Sequence, residues 1–591
     1  METVYGTNLT LWDLGVLAFY LVFMFGIGFV YKSFSSDSSD YFRGGGSMLW
    51  WMVGASAFMT QFSAWTFTGA AGKAYTDGAL VSLIFFGNAV GYLLNYFVTS
   101  YRFRRMRVVT PIDSVRARFG AFNEQIFTWT QVPSRVLYAG IWLNGLAIVV
   151  SSVFQIDPLV TVWVVGIAVV VMSVAGGAWA VIASDFIQVL LLMCISIVVC
   201  VLALAHPSIG GFSGLMDKVP AHHFNFSLGE DAKFVSIWIF TAFVVQAFKI
   251  NNMFDSYRYL CVKNDQQARK ASMMACLLMF AGPIIWFIPP MAARVIQPDM
   301  ASVFPNLANP SEGAFLFMGM EVMPVGMIGL LVCSLFAATM SSMDSGLNVN
   351  AGIFVSNFYR PILRKNAGEK ELLMVGKLMS GVFGILIIGA GLLWLKLKDW
   401  DLFEIMVLFG SMVGIPIAMP LVWGLFVKNA PKWAAWSTVL VGVSFSYLSF
   451  MTEEYGWFGV GDLAGREKSD FLYFFSGLGN VLVCTIWFFL TVFIARKYGY
   501  KPDAEVEKFF ENQKRPVDTV AEGGKETDQN QASAMGMLCF IYGGFIGLLG
   551  ILIPNSLGGR ISFLFCGLVI GGIGFVLYRT GKKKKITPAD A

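Results

Sequence analysis

Charge is what this sequence has least of. Lys, Arg, Asp and Glu make up 13% of its 591 residues, where soluble globular chains carry roughly 25%. That scarcity excludes a soluble enzyme or a nucleic-acid-binding domain, and the net charge of +5 reflects loops, not a partner of opposite sign. Histidine is scarcer still. His206, His222 and His223 lie in or beside one loop, and no HExxH-like run accompanies them, so no metalloenzyme ligand set is present. The eight cysteines (Cys194, Cys200, Cys261, Cys276, Cys333, Cys484, Cys539, Cys566) stand in apolar runs without paired metal-ligand spacing. They read as buried free thiols. Met1 to Asp13 contains no Lys or Arg, so a cleavable signal pattern is not expected.

What is present is apolar: 56% hydrophobic residues, 54 of them Phe, and a mean hydropathy of +0.66. About fifteen runs, from 11–32 to 561–579, are long enough to cross a ~30 Å hydrocarbon core. The chain is a polytopic membrane protein whose solvent is the lipid bilayer. An odd number of spans puts the termini on opposite sides. Arg102, Arg104, Arg105, Arg107, Arg116 and Arg118 crowd one loop; Arg258, Lys263, Arg269 and Lys270 mark a second; Arg360, Arg364, Lys365 and Lys370 a third. Lys582 to Lys585 close the chain. Counted from an outside N-terminus, every group falls in the cytoplasm, as the positive-inside rule requires. A bacterial inner membrane is the default location, with a plasma membrane as the alternative.

The expected organisation is an outside N-terminus and first peripheral helix (1–46), a first five-helix repeat (47–205), an external loop (206–233), a second five-helix repeat (234–428) and two peripheral helices (429–495). A charged cytoplasmic linker (496–534), rich in Glu, Lys and Asn, reads as a partly disordered tether. Two accessory helices and a basic tail (535–591) follow. The two repeats enter from opposite sides, and each opens with an interrupted helix: Gly54 to Gly72 in the first, Gln246 to Asp255 in the second. Paired interruptions in matching positions point to a transport site at the bilayer midplane.

The first interruption carries Thr60, Gln61, Ser63, Thr66 and Thr68 among small residues. Lipid offers no hydrogen bonds, so such a run faces protein or a water-filled cavity. Two readings fit it: close helix packing through small residues, or an unwound helix whose freed carbonyls seat a small hard cation. In the ninth span Ala338, Ser341 and Ser342 stand at i, i+3 and i+4 and share a helix face. Two hydroxyls and a carbonyl from that face, with carbonyls from Met59 and Phe62, make a five-oxygen shell suited to sodium. The competing reading is Ser hydroxyls bonded back to their own helix.

Several motifs resemble the sodium/solute symporter family: Asp40-Tyr-Phe-Arg-Gly-Gly-Gly46 before the second span, the Ala-x-x-Ser-Ser run followed by Asn348 and Phe354 to Tyr359, Tyr257-Arg258-Tyr259-Leu260 with Lys263, and Gly424-Leu-Phe-Val-Lys428. The resemblance covers about residues 11–495. It implies an all-α, leucine-transporter-type 5+5 inverted repeat with one extra N-terminal and about four extra C-terminal helices, and solute uptake by alternating access driven by sodium. By that resemblance Met59, Phe62, Ala338, Ser341 and Ser342 fall on the main sodium site, and Asp185 matches an aspartate near a second cation site or a gate. Asp344 departs from the family's small neutral residue. An unpaired carboxylate at bilayer depth is costly, so Asp185, Asp344 and Ser341 or Ser342 are expected to form a second sodium or proton site, or else an ion pair with Lys249 or Arg135.

The solute is less determined. Arg135 and Lys249 are cations at bilayer depth whose partner is a substrate carboxylate or one of Glu404, Asp255 and Asp344. Asn252 aligns with an Asn that sugar-carrying relatives use, but their sugar-binding Gln, Glu and Gln appear here as Thr66, Phe85 and Val407. With Gln61 and Ser63, these complete the candidate solute contacts. The leading expectation is a sodium-coupled symporter for a carboxylate-bearing solute (an organic acid, amino acid or sugar acid), a monomer sufficing for transport. The alternatives are a sodium/sugar symporter with a non-galactose-like binding mode and a non-transporting sodium-gated sensor. A channel lacks a filter loop, and an enzyme lacks a nucleophile and base.

Overall fold

The computed structural model describes residues 9–32, 44–174, 177–224, 234–396, 402–463, 465–518, 522 and 528–582. Asp40 to Arg43 and Lys583 to Lys585, which the motif and charge readings used, lie outside them. Among the described residues every regular element is helical. Among the described residues twelve helices are long and apolar enough to cross a membrane, thirteen with one bent pair taken as a single span, fewer than the about fifteen apolar runs because some runs are broken or short helices.

In chain order the framework is α1 (Leu11–Lys32), α2 (Trp50–Met59), α3 (Gly69–Asp77), α4 (Ser82–Leu94), α5 (Pro111–Phe154), α6 (Pro158–Val174) and α7 (Gly177–Ala205). It continues with α8 (Val235–Ile250), α9 (Tyr257–Leu260), α10 (Asp265–Trp286), α11 (Met327–Phe354), α12 (Glu369–Trp394) and α13 (Ile415–Phe426). The chain ends with α14 (Trp433–Tyr455), α15 (Gly465–Lys497), α16 (Ala504–Lys514), α17 (Asp528–Leu552) and α18 (Leu557–Lys582).

Burial ranks these helices. The most apolar window of the span that begins with α11 is 100% buried, against 33% for those of α1, α15 and α18. In a membrane an exposed apolar face meets lipid, so α11 is the central post and the other three are peripheral. It touches α1, α5, α6, α7 and α12. α5 begins at Pro111, earlier than its apolar run, because a Thr110–Asp113 capping box and a proline in the first turn start it in polar sequence. Gly120, at φ +84°, then turns the chain before the long span. The accessory pair α17 and α18 is an intimate hairpin: a Cβ at Gly543 would sit 2.3 Å from the Gly571 nitrogen.

The tether expected after α15 is folded where it is described. Asp503 caps α16 by accepting from the Val506 N–H at 3.0 Å, and Val506 and Phe509 are buried. Lys432 pairs with Asp503 at 2.5 Å and Lys428 with Glu507 at 3.5 Å. Arg107 donates to the carbonyls of Asn512, Arg515 and Pro516 at 3.1, 3.2 and 2.9 Å, which places a cation on carbonyls left over at a helix C-terminus. Lys263 reaches Asp528 at 2.5 Å. The basic loops thus hold this segment against the membrane domain. Phe509→Ala removes its main apolar anchor, a change of about 3–5 kcal/mol for a buried Phe. Limited proteolysis of that variant should cut within residues 498–527 many times faster than in wild type; an unchanged rate places the docking energy elsewhere.

Candidate functional site

The first interruption begins where α2 ends at Met59. The Thr60 hydroxyl donates back to the carbonyls of Ser56 and Ala57 at 2.8 and 2.9 Å, competing with the helix ladder. Ser63 is extended (φ −156°, ψ 177°), and its hydroxyl accepts from the Trp65 N–H at 3.2 Å, starting a 3₁₀ turn over Ala64–Phe67 before α3. The Ala64 N–H is satisfied by the Thr339 hydroxyl of α11 at 2.9 Å. Gly145 of α5 lies directly beneath, where a Cβ would stand 2.8 Å from the Trp65 nitrogen.

The break brings Met59 and Phe62 onto α11. The Ser342 hydroxyl donates to the Met59 carbonyl at 3.2 Å, makes a short bond to the Phe62 carbonyl, and lies 3.5 Å from the Ala338 carbonyl. Four neutral oxygens therefore converge at one point, a donor set of the hardness that an alkali cation takes. The Ser341 hydroxyl is turned to the other side, toward the Asp185 carboxylate of α7. Asp185 also accepts a short bond from Ser56 and an ion pair from Arg258 at 3.5 Å, and Arg258 makes a short bond to Ser345. Arg258 is buried, not in the loop where the charge count put it. The partner of Asp185 is thus neither Lys249 nor Arg135. Asp344 is buried on α11 within electrostatic reach of Tyr20 on α1.

The second interruption joins α8 to the segment Met253–Leu260 at 58°. Asn252 caps it: its side-chain oxygen accepts from the N–H groups of Phe254 (2.7 Å) and Asp255 (3.3 Å). Its amide donates to the Lys249 carbonyl (2.6 Å) and the Asp255 carboxylate (2.8 Å). Both ends of Asn252 are occupied in holding the break.

Between the two interruptions lies a cavity of about 210 Å³. Gln61, Ser63, Phe85, Arg135, Lys249, Asn252 and Val407 all line it, together with Ser342 of the oxygen cluster. Thr66 does not line it; its hydroxyl is buried inside the 3₁₀ turn. Arg135 pairs with Asp255 at 3.8 Å and rests on the Phe254 ring at 4.6 Å, while Lys249 sits 5.4 Å from the Tyr138 ring. Glu404 belongs elsewhere, with Lys73 at 3.4 Å. Trp65 and Phe85 of the lining belong to a ring cluster: Trp65 stacks on Phe403 at 5.7 Å and meets Phe85 at 6.3 Å, and Phe85 meets Trp286 at 5.8 Å. The lining also includes Tyr138, Gln131, Gln246 and Arg258, which sequence reasoning did not assign to a site. The polar positions of α5 around Pro133 were the available signal.

The family model described as the sodium:solute symporter family matches residues 41–442. The chain is 27% identical over 523 residues to sodium/myo-inositol cotransporter 2 of Oryctolagus cuniculus, covering 80% of this chain and 76% of that one. It is 26% identical over 475 residues to the sodium/sialic acid symporter SiaT of Proteus mirabilis (strain HI4320), covering 78% and 91%. Among solved structures, a substrate-bound, outward-open Na+-coupled sialic acid symporter superposes with a TM-score of 0.65 at 23% identity over 83% of this chain and 99% of that one. The nucleobase-cation-symport-1 family transporter Mhp1, closed with bromovinylhydantoin bound, does so at 0.51 and 14%, over 80% and 99%. These superpositions establish the leucine-transporter-type helical architecture.

Gly145→Ala should push the 3₁₀ turn off α5. A backbone clash of that kind costs about 1–3 kcal/mol, so purified protein should unfold at a lower temperature. An unchanged Tm shows that the turn has room to move.

Proposed function

The chain belongs to the sodium:solute symporter family, and from that premise we propose that it carries a small carboxylate-bearing solute, with sodium seated among Met59, Phe62, Ala338, Ser341 and Ser342. Sodium-coupled solute symport is the family's activity, with the ion as co-substrate. The observation that supports an acidic solute is the charge of the cavity wall. Arg135 and Lys249 face a single carboxylate, Asp255, while Arg258 is matched by Asp185. Among the described residues one cation is left over in this chamber at bilayer depth, and an anionic solute supplies its counter-charge. One relative is a symporter of sialic acid, an acid. A second reading, a neutral polyol, draws on Gln61, Gln131 and Gln246 in the same wall, groups suited to hydroxyls, and on the inositol cotransporter among the relatives.

Sodium couples to the solute only through a difference in affinity between the two access states. In the proposed cage two carbonyls come from the broken helix, and the remaining oxygens from α11. The ion bridges the two elements, and separating them divides its shell between two surfaces and releases it. We further propose that one sodium moves per cycle, since the Arg258 guanidinium holds the position beside Asp185 that a second cation would take, leaving Asp344 a structural role against α1. The repeats 47–205 and 234–428 are the moving and supporting halves of this scheme. The multi-pass chain lies in a bacterial inner membrane, N-terminus outside and C-terminus cytoplasmic, as a monomer competent for transport.

Ser342→Ala removes the hydroxyl on which the carbonyls converge. Sodium-dependent uptake into proteoliposomes should fall by about a hundredfold, as for a loss of roughly 2.7 kcal/mol of ion affinity, while the protein still folds. Uptake at the wild-type level overturns the cage. Sodium activation of wild type should follow a Hill coefficient of about 1; a value near 2 restores the second site at Asp185.

A further inference from the structure

We propose that Asp255 is a resident carboxylate that occupies Arg135 in the solute-free carrier and gives way to the carboxylate of the solute. The inference rests on the reading that the solute is an acid.

Geometry carries it. Arg135 projects from α5, an unbroken helix on that side of Gly120. Asp255 sits in the 3₁₀ turn Met253–Ser256, at the bend of the second broken helix. Their contact, 3.8 Å from one guanidinium nitrogen to one carboxylate oxygen, is long and single-pronged. A well-seated guanidinium–carboxylate pair closes to about 2.7–2.9 Å and often uses both prongs. Arg105 and Asp265 reach 2.7 Å elsewhere in this molecule. The guanidinium also lies over the Phe254 ring at 4.6 Å, which fixes its plane. Arg135, Asp255 and Phe254 all line the cavity. The pair is therefore formed but loose, and it faces the solute chamber.

Asp255 also has somewhere to go. Its other oxygen is held by the Asn252 amide at 2.8 Å, and Lys249 is within electrostatic reach. When a solute carboxylate takes the fork of Arg135, Asp255 keeps these partners and is not left as a bare charge at bilayer depth. No such exchange is open to a neutral solute, because it offers Arg135 nothing that replaces the lost ion pair. Asp255 thus favours a solute that can replace it at Arg135 over one that cannot, which is a difference of affinities. The exchange also cuts the tie between α5 and the second break, so solute binding changes how the two are joined.

The test uses the full-length protein in detergent with saturating sodium. The probes are sodium salts of sugar acids and amino acids, sialic acid included, with myo-inositol as the neutral control. Binding is read by calorimetry. Asp255→Asn, which keeps the shape and removes the charge, should tighten the best carboxylate by about tenfold and leave myo-inositol unchanged. Arg135→Lys, which keeps the charge and loses the fork, should weaken the carboxylate by about tenfold. If wild type binds a carboxylate and Asp255→Asn leaves its affinity unchanged or weaker, the exchange is overturned and the acidic-solute reading stands. If wild type binds only myo-inositol, both fall together.

Discussion

A helix cannot stop at mid-membrane without finding partners for the backbone groups it releases, and the site follows from that constraint. Lipid supplies none, so the interruption after Met59 survives only because α11 stands against it. Thr339 takes the Ala64 N–H, and Ser342 reaches the carbonyls of Met59 and Phe62. The arrangement works only around a helix buried on all sides, which is why α11 carries Ser, Thr, Asn and Asp at positions where a lipid-facing span carries Leu and Phe. Its polar residues are satisfied by neighbours, and its neighbours are held in place by satisfying them.

Much of this was legible in the residues, because hydrophobic period and polar interruption are strong signals in a chain with few charges. The first break announced itself through Thr60, Gln61 and Ser63 in apolar surroundings. Contacts past the break were less legible. Residues in a 3₁₀ turn rotate by about 120° each and not the 100° of an α-helix, so faces counted on the helix do not carry beyond Ser63. Thr66 accordingly points away from the cavity. The segment around α16 read as disorder because Glu, Lys and Asn dominate it. Its signal was small: an Asp cap three residues before Val506, with Phe509 a turn further on.

Charge was the hardest to place. Counting Arg and Lys toward cytoplasmic loops assumes that each is in water, and Arg258 is not. It sits two residues past the Met253–Ser256 turn, close enough in sequence to Lys263 to be counted with it, yet its guanidinium turns inward to Asp185 and Ser345. A guanidinium is well suited to this position, since it is always charged and spreads its donors in a plane. Breaking such a pair strands a charge in a poor solvent, so Asp185 and Arg258 constrain each other. The same reasoning separates Arg258 from Arg135, whose carboxylate partner is farther away and shares its own hydrogen bonds with Asn252.

The oxygen cluster and the solute chamber also differ in how they tolerate sequence change. In the proposed cage Met59, Phe62 and Ala338 would contribute main-chain carbonyls, so any residue that preserves the backbone there would preserve the oxygen. The hydroxyls of Ser341 and Ser342 alone would depend on their side chains. The chamber is the reverse: Arg135, Lys249, Asp255, Gln131 and Tyr138 act through side chains, and one substitution changes what fits. Ion coupling is therefore expected to persist while solutes diverge. Relatives of nearly equal identity, 27% and 26%, accordingly include carriers of both a neutral cyclitol and an acidic sugar. Overall identity at that level cannot choose between them, and the proposal of an acidic solute draws instead on the charges of the cavity wall.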